Sequence, residues 1–167
     1  KGKLGDAMRA WLANPADGTA ADMVEADPTE TGMTRTRCVA TRLEGGHADN
    51  ALPALAKATV NCRIFPGIPE TDVRAELKNL VGAGVDITLI GDSIPSPPSP
   101  LRADVVKAFT DTIHKRHPGA SIVPQMSTGA TDGLFLRSNG IPTYGVDGAW
   151  IVVPDDERAH GKDERIP

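Results

Sequence analysis

The sequence predicts an α/β fold in two pieces, on three observations. Residues 56–64 alternate strictly between apolar and polar side chains, and an amphipathic helix follows at 70–81. The order helix, strand, strand, helix, strand over residues 1–92 is most of a split β-α-β unit, the ferredoxin-like pattern without its first strand. Beyond Pro95, Pro97, Pro98 and Pro100, helices and strands alternate again, which suggests an α/β layer. The expected division is a partial ferredoxin-like α+β unit at 1–92, a stiff Pro-rich linker at 93–100, and part of an α/β domain at 101–167.

Each element has a local reason. Residues 4–13 place Leu4, Met8, Trp11 and Leu12 on one side of a short helix, which Asn14-Pro15 and Asp17-Gly18 stop. Residues 14–32 are polar and acidic without periodicity and read as a loop. Residues 33–43, rich in Thr with Val and Cys, read as a strand ended by Glu44-Gly45-Gly46. In the next strand Ala56, Ala58, Val60, Cys62 and Ile64 share one face, and Lys57, Thr59, Asn61 and Arg63 share the other. The helix at 70–81 turns Val73, Leu77, Leu80 and Val81 inward, with Thr71 as its expected cap and Gly82 as its stop. A strand is expected at 85–90, a helix at 101–117, a short strand at 122–123, a helix at 133–138 capped by Asn139-Gly140, and a buried strand at 141–146.

Composition narrows the function. The 167 residues are 40% hydrophobic and 24% charged, a soluble globular balance, with a net charge of −4. No concentrated Lys/Arg surface is visible, so no nucleic-acid partner is expected. No apolar run is long enough to span a bilayer, so no membrane partner is expected. The two cysteines, Cys38 and Cys62, are too few for a disulfide scaffold and lack metal-type spacing. They leave a reducing compartment, the cytoplasm, as the default and the localisation itself open, with Cys62 a small apolar residue of the strand.

Four stretches could carry chemistry. Gly45-Gly46-His47-Ala48-Asp49-Asn50-Ala51-Leu52-Pro53 offers donors from a glycine-opened loop, or is simply a turn in which Asn50 bonds its own backbone. Arg63, on the polar strand face before Pro66-Gly67, can grip a carboxylate with two parallel bonds, or can be a solvated surface arginine. The 127–133 turn, with Gly129, Thr131 and Asp132, opens a helix whose free N–H groups suit an anion, or Asp132 is only the cap. Around His160, Arg158-Ala159-His160-Gly161-Lys162-Asp163-Glu164-Arg165 can supply a metal ligand among carboxylates, or is a solvated charged face. His114 and His117 read as cations at a helix C-terminus.

Taken in order, these stretches say more. Gly-Gly-His-Ala-Asp-Asn-Ala-Leu-Pro, then Arg63 thirteen residues after Asn50, then Phe65-Pro66-Gly67, Gly129-Ala130-Thr131-Asp132, Gly140-Ile141-Pro142-Thr143-Tyr144-Gly145 and Ala159-His160-Gly161-Lys162-Asp163-Glu164 form one series. That series resembles the zinc aminoacylase/carboxypeptidase family of metallopeptidases, peptidase family M20, from about residue 34 to residue 167. The resemblance implies an α/β catalytic domain binding two zinc ions, with cobalt or manganese as other candidates. It also implies an inserted ferredoxin-like lid that commonly forms a homodimer. The substrate would be a small peptide or N-acyl amino acid, cleaved at an amide bond next to a free carboxylate. By motif, Asn50 would polarise the substrate carbonyl or hold the substrate, and Arg63 would bind its carboxylate. Gly129, Thr131 and Asp132 would line the pocket, and His160 would be a zinc ligand with Asp163 and Glu164 as supporting neighbours.

The family's early His-x-Asp, its bridging aspartate and its paired glutamates are not in these 167 residues. One histidine cannot hold a zinc pair, because a zinc site needs at least three protein ligands. The expectation is a fragment of a hydrolase that is inactive by itself and contains no catalytic residue of its own. Two other expectations compete with it: a non-catalytic ferredoxin-like dimerisation or ligand-sensing module, and a degenerate pseudoenzyme.

Overall fold

The computed structural model describes residues 2–146, 149–152, 155–156 and 158–165. Its first element, α1 (Lys3–Ala13), buries Ala7 and half-buries Leu4, Met8 and Trp11, as the apolar spacing requires, while Leu12 stays 70% exposed. It packs on α2 (Gly18–Glu25), whose Ala20, Ala21 and Val24 are buried. This second helix replaces the loop expected at 14–32. Its apolar residues are small and its stripe is short, so periodicity hides it. Its start signal is the Asp17-Gly18 pair, which also suits a turn. Asp17 is in fact the cap: its carboxylate accepts the N–H groups of Thr19 (2.9 Å) and Ala20 (3.2 Å). A short 3-10 turn at Pro28–Glu30 follows, capped by Asp27.

The sheet is one antiparallel ribbon of β1 (Arg37–Gly45) and β2 (Ala56–Arg63). Arg37 pairs with Arg63, Cys38 with Cys62 and Ala40 with Val60, and an irregularity at Thr41 shifts the register before Arg42 meets Thr59. Both sides of that shift keep the face pattern: Cys38, Ala40 and Leu43 lie with Cys62, Val60 and Ala58, and the polar residues lie opposite, joined there by Val39. No further strand occurs among the described residues, so those expected at 85–90, 122–123 and 141–146 are irregular backbone without ladder partners. The described elements form a mixed helix-and-ribbon unit, consistent with the α+β lid expected, and they include no further strand of a ferredoxin-like sheet.

The helix α3 (Glu70–Val81) has the expected bounds. Gly82 closes it at φ 77°, a left-handed conformation open to glycine. Pro69, not Thr71, stands at the cap position, and no side chain bonds there. Val73 and Leu77 are half-buried, but Leu80 is 73% exposed, so the inward face expected of this helix is largely uncovered. Next come α4 (Ala103–His114) and α5 (Gly133–Ser138). Asn139 caps α5, and the N–H of Gly140 (φ 78°) and of Ile141 return to the carbonyls of Arg137 and Leu136.

The Pro-rich segment is lashed to the following half. The Ser99 hydroxyl donates to the Thr143 carbonyl and accepts the Thr143 N–H, both at 2.8 Å. Tyr144 donates to the Pro100 carbonyl (2.6 Å), and Arg137 donates to the Ser96 hydroxyl (2.9 Å). His117 stacks on Trp150 with ring centres 3.7 Å apart. His114 ends α4 as expected, and its ring Nε2 lies 2.8 Å from the Ala120 carbonyl oxygen.

One expectation about the cysteines is overturned. Cys38 and Cys62 form a disulfide. Two cysteines 24 residues apart give no sign of pairing until the ribbon's register sets them opposite each other. The reducing setting inferred from them loses its ground, since such bonds persist under oxidising conditions. No described helix is long and apolar enough to cross a membrane.

Candidate functional site

The ribbon's polar face presents Arg63 at its end, with Asn61, Thr59 and Lys57 behind it on β2. Directly opposite stands Arg37. Two like charges facing each other would repel, but Arg37 is committed elsewhere. Its guanidinium donates to the Glu25 carboxylate from both Nε and a terminal nitrogen. Glu25 ends α2, and its side chain is only 1% exposed. It also accepts the Thr34 hydroxyl and the Thr34 N–H (3.2 Å). Burial pushes the Glu25 carboxyl up, but the Thr34 and Arg37 hydrogen bonds together with the Arg37 charge hold it below the usual glutamate value. Arg35 adds an ion pair to Asp22. So the helical pair α1–α2 anchors the start of β1 through one buried carboxylate. Arg63, by contrast, is exposed and has no ion-pair partner among the described residues.

The 127–133 turn approaches this end of the ribbon. A Cβ on Gly32 would meet Thr128 Cγ2 at 3.3 Å and Arg37 Cγ at 3.9 Å, so Thr128 and Arg37 flank the same glycine. Phe65 just beyond Arg63 donates its N–H to the Thr36 hydroxyl at 3.0 Å, which closes the ribbon's end. Inside the turn, the Gly129 N–H bonds the Ser127 hydroxyl (3.2 Å) and the Gly133 N–H bonds the Thr131 hydroxyl (3.0 Å). Asp132 precedes α5 without a side-chain cap bond, so Thr131 does what the sequence assigned to Asp132 as the alternative to a site role. Gly133 is buried, with Thr131 and Thr143 each 3.2 Å from where a Cβ would stand.

Asn50 lies in the loop that joins the strands at their Gly45–Ala56 end, the end away from Arg63. Eight residues of β2 at about 3.3 Å each put roughly 23 Å between the two ends. The loop's turn is closed by the Ala51 N–H on the Ala48 carbonyl (3.5 Å). His160 occupies a tight turn at φ 62°, with the Gly161 N–H on the Arg158 carbonyl (3.0 Å) and an Arg158–Asp163 ion pair across it. His160 is exposed, and a side chain on Gly161 would press on the Arg158 carbonyl at 3.1 Å. The structure therefore sets Thr128 of the 127–133 turn against Gly32, beside Arg37 on the strand facing Arg63, and keeps Asn50 on a separate loop.

No group of three His, Cys, Asp or Glu side chains that could hold a metal ion occurs among the described residues. The donors described here do not make a zinc site. Glu25 and Thr128 were not singled out by sequence. The only signal for Glu25 was a lone glutamate before two arginines spaced i, i+2, which fits countless surface segments.

Residues 5–86 match the M20 peptidase dimerisation domain. The chain is 29% identical over 160 residues to the human N-fatty-acyl-amino acid synthase/hydrolase PM20D1, covering 93% of this chain and 31% of that protein. It is 25% identical over 160 residues to a probable carboxypeptidase S-like protein of Dictyostelium discoideum, covering 93% and 30%. A probable carboxypeptidase of Paracoccidioides lutzii is 36% identical over 67 residues, covering 38% and 15%. The chain thus spans about a third of the length of the curated relatives it matches along most of its course. No solved structure matches it. The chain is similar along nearly its whole length to an N-fatty-acyl-amino acid synthase/hydrolase and a probable carboxypeptidase, and residues 5–86 match the dimerisation domain of M20 peptidases.

Proposed function

We propose that the chain is part of a metal-dependent hydrolase that cleaves an amide or peptide bond next to a free carboxylate, as a carboxypeptidase or an N-acyl-amino-acid amidohydrolase. The observation that carries this is Arg63: a guanidinium fixed at a ribbon's end, uncommitted, while its neighbour Arg37 is held by a buried carboxylate. A guanidinium so placed can take a substrate carboxylate through two parallel N–H bonds. The Gly129–Gly133 turn would wall the substrate pocket, with Thr131 and Asp132 facing the substrate. Asn50 would hold the substrate from the separate loop. His160 would give one donor to metal ions, which when bound supply a water of lowered pKa. A zinc pair needs further ligands beyond His160, so the proposal is that activity belongs to the full-length protein.

The test uses the full-length protein. Arg63→Ala is expected to raise KM for carboxylate substrates by about 10- to 100-fold, the loss of a charge-assisted pair. Unchanged kinetics would remove Arg63 from the site. His160→Ala is expected to lower bound zinc measured by elemental analysis, and a full metal complement would remove its ligand role. The dimerisation-domain match supports a homodimer formed through residues 5–86.

A further inference from the structure

The Cys38–Cys62 bond joins residues that face each other across the ribbon, with Cα atoms 4.1 Å apart. That is the spacing of a close, non-hydrogen-bonded antiparallel pair, whose side chains point the same way. Beyond the ladder itself, the Glu25–Arg37 contact and the Phe65–Thr36 bond hold only the ribbon's Arg37–Arg63 end. The ribbon has two strands among the described residues, and Val39, Leu43 and Val60 are exposed at 61%, 77% and 43%. Two strands without a covering layer are marginal in water. A cross-link across 24 residues of sequence removes freedom from the unfolded ribbon, so it weighs heavily here. It is also within reach of solutes, because Cys38 is exposed and Cys62 half-buried. One residue along from it stands the Arg37–Arg63 pair, so the backbone that carries Arg63 is fixed by the same link.

We propose that the Cys38–Cys62 disulfide is a redox-responsive clamp on the ribbon that carries Arg63, opened by a dithiol reductant. A thiolate of the reductant attacks one cysteine sulfur, the S–S bond breaks, and a mixed disulfide forms. The second thiol of the reductant displaces it. Two electrons and two protons pass to the cysteines, which become two thiols, while the reductant becomes a cyclic disulfide. With the clamp open, the ribbon frays and Arg63 loses its fixed position. Fraying is independent of what Arg63 binds, whereas an effect on substrate rests on the carboxylate role proposed above.

Hydrogen exchange read by mass spectrometry on the full chain, with and without dithiothreitol, tests the clamp. Amides of residues 37–45 and 56–63 are expected to exchange at least about tenfold faster after reduction, with α1 and α2 unchanged. The Cys38→Ser, Cys62→Ser double variant is expected to exchange fast in either condition. Ribbon amides indifferent to the reductant would overturn the clamp. So would two free thiols, found by alkylation and intact mass, in protein prepared under oxidising conditions. In the full-length enzyme, reduction is expected to raise KM for a carboxylate substrate. If exchange responds and KM does not, the clamp stands and its link to Arg63 is overturned.

Discussion

Glu25 shows how one side chain can organise a neighbourhood. It is nearly buried, yet it is charged, because Thr34 and Arg37 supply the donors that water would otherwise give. Its carboxyl is held below the usual value in the folded state. Its stabilising contribution is therefore present in full above the ordinary glutamate value, about 4.3, and is lost as pH falls below it through the depressed folded value. Denaturant midpoints are expected to drop on acidification below about pH 4.3, and Glu25→Gln is expected to flatten that drop. At neutral pH the same substitution is expected to cost about 2 kcal/mol, toward the low side for a paired charge because the arginines are partly exposed. The two facing arginines make a sharper comparison. Arg37→Ala is expected to lower stability and leave substrate KM nearly unchanged, and Arg63→Ala to do the reverse. Equal effects on KM would mean that both arginines hold the substrate.

At the scale of elements, the boundaries follow from caps and breakers. The bounds of α3 were legible because Pro66-Gly67 and Gly82 bracket a clear apolar stripe. The helix α2 was not, because Ala20, Ala21 and Val24 carry little hydrophobic signal. Its existence depends on Asp17, which binds two otherwise orphaned N–H groups, and on α1, which covers it. Asp17→Ala is expected to cost about 1 kcal/mol, read as a lower denaturation midpoint, and Asp17→Asn much less. An Ala variant as stable as the original would mean that packing on α1 alone holds the helix. The expected strands at 85–90 and 141–146 have suitable sequences, but a strand is defined by a partner, and no described residue supplies one.

Across the whole molecule the accessible surface is 13233 Å², against about 7,900 Å² for a compact monomer of 17.5 kDa. Among the described residues the buried apolar side chains are Ala7, Ala20, Ala21 and Val24, all within the α1–α2 pair. Leu43, Leu52, Leu80, Ile90 and Val123 are each at least 73% exposed. A chain with this much uncovered apolar surface is expected to associate. Light scattering at rising concentration should give a mass above 17.5 kDa. A monomer at every concentration would show that these side chains find cover within one chain.

The sequence by itself determined the helices with strong stripes, the alternating strand, the exposed Arg63 at its end, and the ordered motifs that place the chain among its relatives. Those features are local, and a few neighbouring residues suffice to specify them. Only the tertiary structure decided that Cys38 faces Cys62, that Glu25 takes Arg37 and leaves Arg63 free, and that Thr128 reaches Gly32. Each of those depends on strand register or on helix packing. These bring together residues far apart in the chain, and a one-residue slip in register would turn every side chain of the ribbon to its other face.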